Sequence, residues 1–510
     1  MSKLEQLDRE QLKRIDRESL IELVLVLQQR FGAQQELSQQ LQQQVAVQQE
    51  SVQQLQQQVA VQQELVPALQ DQRAKDSHNS GKPPSSDGLK KGRRKSLRRA
   101  GQRPRGGQRG HKGRTLMQVA EPDHVIVHKL SDCPHCQTKL EAETVKRHEK
   151  RQVFDIPPAR IEVTEHQAEV KQCPGCGACV KGEFPANVSQ PTQYGLRLKA
   201  FACYLYGQQF IPFARIRELL TALYGDAPSE PAILAATRQL ARHTEGSLAQ
   251  IRQQLIAAPV VHFDESGMRV AERLRWLHVA STEKLTQYHV HDKRGHVGMR
   301  AGDILPHYKG VAVHDYWRSY LKFSDCQHSF CNVHHLRDLC FIVEQYDQAW
   351  AAKMKRLLCD IKEEVASTPA QHTALPRDRL AYYEAAYDAL IAQGFAANPA
   401  PPKTKPRPIG RPKQSPAKNL LDRLHKHKAG VLSFMYDFRI PFDNNLVERD
   451  VRMIKVQQKV SGCFRTEDGA HIFCAIRSYI STARKHGLNA IDAIHNAFLD
   501  QPFIPDTSQA

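Results

Sequence analysis

The spacing of apolar residues changes along the chain, and each change predicts a different kind of element. Through residues 1–70, positions alternating by four and three hold Leu20, Val24, Leu27, Phe31, Leu41, Val45, Val52, Leu55, Val59, Val66 and Leu69. Gln34, Ser38, Gln48 and Gln62 fall on the same seam. The segment Gln39 to Glu50 recurs unchanged at Gln53 to Glu64, a two-heptad period. This pattern predicts a coiled coil whose polar interruptions set register and oligomer state at a cost in stability. A glutamine-rich tract without fixed structure is the alternative. Pro67 is expected to end the helix.

The helical period returns over residues 195–256. Phe213 to Tyr224 is amphipathic, Gly225-Asp-Ala-Pro-Ser229 makes a turn, and a second helix follows near Pro231 to Leu240. This predicts a helix-turn-helix or a plain helical hairpin. From about 259 the period shortens to that of strands: Val260 to Phe263, Leu274 to Ala280, Thr286 to His291 and Gly310 to His314. Helical segments run from about 331 to 393, are interrupted by a Pro/Lys/Arg-rich stretch at 397–418, and return to about 498. Strands followed by helices predict a multidomain α/β protein whose core carries a helical insertion.

Composition adds a partner. The chain has 510 residues, 41% hydrophobic, and a formal net charge of +18. That length allows two or three cored domains, and that charge points to a polyanion, nucleic acid first. Residues 71–114 are rich in Ser, Pro, Gly, Lys and Arg and read as a disordered basic linker. Arg93, Arg94, Lys95, Arg98, Arg99, Arg103, Arg105, Arg109 and Lys112 lie within it and are the candidate phosphate contacts. A solvated linker is the competing reading. No run of apolar residues is long enough to span a bilayer, and the N-terminus lacks a signal-peptide pattern. A cytoplasmic protein is expected, in which paired cysteines suggest metal ligation rather than disulfides.

Such pairs exist. Cys133-Pro-His-Cys136 and Cys173-Pro-Gly-Cys176 within residues 115–190 suit one tetrahedral structural zinc held by four thiolates. Cys179, His135 and His148 are possible substitutes. Gln152 to Ile156 and Arg160 to Thr164 are strand-like and would join the two halves of a ribbon.

Three carboxylates carry candidate chemistry. Asp264 ends Pro259-Val-Val-His-Phe-Asp264, and Asp315 ends Gly310-Val-Ala-Val-His-Asp315. Both sit where strands are expected to end. Glu448 opens a helix after Asn444-Asn445, which could cap it. Arg452 and Lys455 share its helical face and could hold a DNA phosphate. Together the carboxylates could bind two magnesium ions and support in-line phosphodiester chemistry. Glu265 points to the opposite strand face and is a weaker ligand. Asp443, Asp450 and Glu467 rival Glu448.

With these residues assembled, the chain resembles the large transposases of the insertion sequence sixty-six family. The likeness lies in the N-terminal coil, Gly106-Gly-Gln-Arg-Gly-His-Lys-Gly113, the cysteine pairs, His262-Phe-Asp-Glu-Ser266, Val313-His-Asp-Tyr-Trp317, Phe330-Cys-Asn-Val-His-His-Leu-Arg337, Asp443-Asn-Asn-Leu-Val-Glu-Arg-Asp-Val-Arg452 and Lys459-Val-Ser-Gly-Cys-Phe-Arg465. The resemblance implies an RNase H-like core over 257–485 with an insertion at about 331–440, and a C-terminal helix and tail over 486–510. It implies Asp264, Asp315 and Glu448 as a DDE (Asp-Asp-Glu) triad, a bacterial nucleoid setting, and accessory proteins as partners beside DNA. The cysteine and histidines of 331–335 resemble a family block that is either a second metal site or a packed helix start. A DNA-binding regulator, an inactive or domesticated relative and a structure-specific nuclease are the alternatives.

Overall fold

The computed structural model describes residues 15–76, 78–80, 115–399 and 414–506. Its contacts divide into two units: residues 1–91 with 337–352, and the remainder. In the first unit, helix α1 (Arg17–Ala74) runs for 58 residues. Asp16 caps it by accepting the Ser19 N–H at 2.9 Å, which satisfies one of the helix's free donors. Pro67 does not end the helix as expected. The ladder loses one donor there and resumes, because the following turn is anchored. Lys75 N–H closes it on the Asp71 carbonyl at 3.2 Å, and the Tyr346 hydroxyl donates to the Asp71 carboxylate at 2.7 and 2.8 Å. The apolar seam of α1 is open to solvent, with Leu27 54%, Leu55 59% and Phe31 64% exposed.

The second unit is built on a five-stranded sheet. Its strands are β3 (Val260–Val270), β4 (Arg273–Ser281), β5 (Thr286–His291), β6 (Val311–His314) and β7 (Gln327–Phe330), in the order β5-β4-β3-β6-β7. β3, β4 and β5 pair antiparallel, whereas β6 runs parallel to β3 and β7 parallel to β6. Two short strands, β1 (Val170–Gln172) and β2 (Cys179–Lys181), pair antiparallel in the cysteine-rich region.

Side-chain alternation gives the five-stranded sheet two different faces. One face presents Met268, Val270, Leu277, Val279, Tyr288 and Val290 to helices α12 (Asn445–Ser461) and α13 (Glu467–Lys485). The other presents Val261, Phe263, Ala280 and Ala312 to α5 (Glu245–Ala257), to Met299 of the short helix α6 (His296–Ala301) and to the chain around Tyr308 and Tyr320.

Helices α2 (Leu196–Gly207), α3 (Phe213–Tyr224) and α4 (Glu230–His243) precede α5. The α3–α4 turn follows the expected chemistry. Gly225 adopts φ 79°, and Ser229 caps α4 through the Ala232 N–H. These helices do not form a region apart from the C-terminus. Ala200, Cys203, Ala236 and Leu240 share one core with Ile476 and Tyr479 of α13 and with Ile494 and Phe498 of α14 (Ala490–Phe498). A second core lies among α2, α3 and α4 themselves, made by Ala202, Leu205, Ile216, Leu220 and Ile233.

Between β7 and α12 come α7 (Asn332–Tyr346), α8 (Ala349–Ser367), α9 (Arg377–Ala397), α10 (Pro416–Lys426) and α11 (Lys428–Tyr436). These five helices occupy the stretch in which the insertion is expected, and residues 337–352 of them belong to the first unit. No described helix is long and apolar enough to cross a membrane.

Two strand expectations are corrected. β3 does not stop at Phe263 but continues to Val270, where Ala271 and Glu272 make a hairpin turn with φ 46° and 62°. Such a turn ordinarily selects Asn or Gly, so the sequence concealed it. Gln152 to Ile156 and Arg160 to Thr164 form no ladder. The polar contact there is a reciprocal amide pair, with Gln152 accepting from and donating to the Val119 backbone at 2.8 Å each.

Gly310, just before β6, lies tight against the chain that leads into β3. A Cβ there would lie 2.7 Å from the Pro259 carbonyl oxygen and 2.8 Å from that of Ala258. Gly310→Ala should therefore push β6 away from β3 and lower stability by about 1–3 kcal/mol, read as a shift in the urea unfolding midpoint.

Candidate active site

The parallel ladder pairs Val260 with Val311, Val261 with Ala312 and His262 with Val313. Two more residues in that register bring Asp264 beside Asp315, on the sheet face that α12 covers. Asp264 is not at a strand end as expected. It lies inside β3, opposite Val279, just beyond the last β3–β6 pair. Glu448 stands in the first turn of α12, whose Val447, Val451 and Ile454 pack on this same face. The three carboxylates thus approach one sheet face from three parts of the chain, near enough for Asp315 and Glu448 to act on the Asp264 charge, while their oxygens do not all lie within 4.8 Å of one another. Burial, followed by the charges of Glu265, Asp315 and Glu448, holds the Asp264 carboxyl well above the usual range. Asp315 Oδ1 accepts the Trp317 N–H at 2.9 Å. Tyr316 between them has φ 70°, strained for a bulky residue, and is held by its ring contacts with Phe330 and His427.

Asn444 holds α12 against the sheet. Its Oδ1 accepts the His262 Nδ1–H at 2.7 Å, and its Nδ2 donates to the Phe263 carbonyl at 3.0 Å. Burial lowers the His262 pKa and so favours the neutral ring, and the Asn444 Oδ1 acceptor places its proton on Nδ1. Asn444 occupies the cap position, but its side chain makes no capping hydrogen bond. The sequence reading of a cap is therefore replaced by that of a tether, since both amide groups are committed to β3. Paired asparagines before a helix carry the signal of a cap, and nothing local marks a tether.

The neighbouring acids are engaged elsewhere. Glu265, on the opposite face, accepts Arg294 Nε and Nη2 at 3.0 and 2.8 Å and the Tyr320 hydroxyl at 2.6 Å. The Arg294 guanidinium lies between the rings of Trp276 and Trp317. Burial, then the charge of Asp315, pushes the Glu265 carboxyl up to about 6. Asp450 is tied to Lys485 Nζ at 2.9 Å, the Ser281 hydroxyl at 2.7 Å and the Thr286 hydroxyl at 3.2 Å. Glu467 pairs with Arg275 at 2.6 Å. Asp443 accepts the Asn445 N–H at 3.1 Å and lies 3.9 Å from Lys362. Arg452 bonds Glu448 at 3.1 Å, and Lys455 Nζ donates to the Gly267 carbonyl.

The cysteine pairs form matching knuckles. Cys133 N–H donates to the Thr138 carbonyl at 2.9 Å, and Gln137 N–H to the Cys133 carbonyl at 2.9 Å. Cys173 N–H and Gly177 N–H repeat these bonds with Ala178 and Cys173, both at 2.8 Å. Gln137 and Gly177 share the left-handed conformation, φ 59° and 71°. The Thr138 side chain lowers the Cys136 pKa, and the Cys176 N–H lowers that of Cys173. Both shifts favour the thiolate that a metal needs. Among the described residues, no three of the four sulfurs lie within 4.8 Å of one another. The geometry therefore displays the donors pair by pair rather than as one closed tetrahedron.

Comparison with known families places this geometry. The profile of the transposase IS66 family matches residues 191–472, more than half of the chain and all three carboxylates. This chain belongs to the transposase IS66 family. The profile of the zinc-finger binding domain of transposase IS66 matches residues 131–177. That span contains Cys133, Cys136, Cys173 and Cys176 and stops before Cys179, which supports a structural zinc in this IS66-family protein. Residues 28–117 match a family of unknown function. No curated protein matched the chain. The candidate phosphate contacts Arg93, Arg94, Lys95, Arg98, Arg99, Arg103, Arg105, Arg109 and Lys112 lie outside the described residues.

Two measurements follow for this transposase. Asn444→Ala leaves His262 Nδ1–H and the Phe263 carbonyl unpaired and should cost about 1–3 kcal/mol; an unchanged urea midpoint would reject the tether. Glu265 binds its proton more tightly folded than unfolded. Its contribution is therefore present at low pH and lost as pH rises from about 4.5 to about 6, by about 2 kcal/mol. Parent minus Glu265→Gln stability, measured across that window, should fall with rising pH.

Proposed function

We propose that this IS66-family transposase cleaves and joins DNA strands in an RNase H-like core, with Asp264, Asp315 and Glu448 as its DDE triad. The observation that carries the reading is their approach to one sheet face, with Asp264 crowded by like charges and given no cationic partner among the described residues. Three antiparallel strands followed by two parallel ones, with an acid on each of the first and fourth strands' registers, support the core assignment. The all-oxygen donor set fits magnesium. Two such ions would supply Lewis-acid stabilisation of the attacking and leaving oxygens.

The chain's own residues set the geometry. Register holds the two aspartates side by side, and the Asn444 tether holds Glu448 over them. Arg452, 68% exposed at its side chain, is free to turn from Glu448 towards a phosphate, and Lys455 stands one turn beyond it. The basic arm, the zinc finger and the α3–α4 hairpin, as a helix-turn-helix, bind the terminal inverted repeats. The α1 seam joins copies of the chain, accessory transposition proteins complete the assembly, and the setting is the bacterial nucleoid.

A strand-transfer assay with element ends and magnesium tests the chemistry. Asp264→Asn, Asp315→Asn and Glu448→Gln should each abolish joining while leaving end binding intact, whereas Asp443→Asn and Glu467→Gln should stay active. Activity surviving a triad substitution removes that residue from the site, and cleavage without joining indicates a nuclease. Removing residues 1–70 should lower the oligomer mass seen by light scattering; an unchanged mass rejects the self-association role.

A further inference from the structure

Cys331 follows β7 directly, and His334 stands in the first turn of α7. Cys331 Sγ, a ring nitrogen of His334 and a carboxylate oxygen of Glu448 lie within 4.8 Å of one another. The sulfur is positioned from two sides. The Cys331 N–H donates to the His314 carbonyl at 2.9 Å, and the Asn444 N–H donates to Cys331 Sγ at 3.3 Å. The neighbouring ring of His335 is committed, with Nδ1 on Asn332 Oδ1 at 3.1 Å. His334 differs. Its Nδ1 is shut away from solvent and has no hydrogen-bond partner among the described residues. An unpaired buried polar atom of this kind costs about 1–3 kcal/mol, and it belongs to the ring whose nitrogen stands near Cys331 Sγ and the Glu448 carboxylate.

We propose that Cys331, His334 and Glu448 bind a thiophilic divalent cation of the zinc class, which competes with magnesium for the Glu448 carboxylate. The competition rests on the catalytic reading of Glu448 given above; the binding site does not. One sulfur, one imidazole nitrogen and one carboxylate oxygen, with a water completing the sphere, is a donor set that suits zinc. Magnesium takes hard oxygen ligands and gains nothing from the sulfur. On binding, the Cys331 thiol proton passes to solvent, and Glu448 exchanges Arg452 for the cation. The cysteine and histidine approach Glu448 from β7 and α7, whereas the aspartates approach it from β3 and β6. Glu448 therefore stands between two donor sets of different chemical hardness.

The test uses the full-length protein, loaded with zinc and exchanged into metal-free buffer. Cys331→Ser and His334→Ala should each hold one zinc fewer per chain than the parent. Parental zinc content in both variants overturns the site. Circular dichroism melting accompanies each variant, and His334→Ala decides the matter if Cys331→Ser does not fold. Magnesium-supported cleavage of element ends is then titrated with zinc. The half-inhibiting zinc concentration should rise by about tenfold or more in His334→Ala; an unchanged value overturns the competition. Glu448→Gln that still cleaves in magnesium refutes the catalytic reading alone, because the zinc content of the other two variants is read separately.

Discussion

Asn444 is the residue on which the arrangement depends. A primary amide donates and accepts from the same planar group, so it can hold an imidazole and a backbone carbonyl of one strand at the same time. Here the strand is β3 and the two partners are His262 and Phe263. The loop before α12 is stitched on its other side as well, with the Asn332 N–H on the Phe442 carbonyl at 3.0 Å and the Asn444 N–H on Cys331 Sγ. Asn444 is 1% exposed, so water does not compete for these bonds. Glu448 lies one helical turn later and inherits its position from this buried contact.

The sheet separates two kinds of carboxylate environment by strand parity. On the Glu265 face the acid has an arginine and a tyrosine hydroxyl as partners, which offset part of the cost of its burial. On the Asp264 face the acids meet one another, and burial and mutual repulsion act in the same direction. That face can tolerate the cost because Met268, Val270, Leu277, Val447 and Ile454 pack around it. The strained Tyr316 beside Asp315 adds a second local cost. Costs of both kinds are gathered at one place and offset by packing elsewhere, the pattern on which the proposed active site rests.

Strong local periods were legible. β5 and α3 have the bounds that their patterns imply, Thr286–His291 and Phe213–Tyr224, because each has unambiguous punctuation at its ends. β3 was underestimated because Ala271 and Glu272 take backbone angles that their side chains do not advertise. β7 escaped notice because three of its four residues, Gln327, His328 and Ser329, are polar, so no apolar run marks it. Pro67 misled in the other direction, since contacts on the next turn outweigh one missing donor.

The sequence alone narrowed the candidate acids to a short set, and it spaced two cysteine knuckles whose turns form with matching backbone hydrogen bonds. It also marked the helix on which Glu448 stands, since these features depend on neighbours only a few residues away. Tertiary structure decided the rest. It set Asp264 beside Asp315 through a parallel ladder and turned Glu265 to Arg294. It also tied Asp450 to Lys485 and made Asn444 a tether rather than a cap. Each of those outcomes is a packing choice between segments far apart in the chain, and such choices are settled by which buried polar groups find partners, a condition that no local pattern of residues expresses.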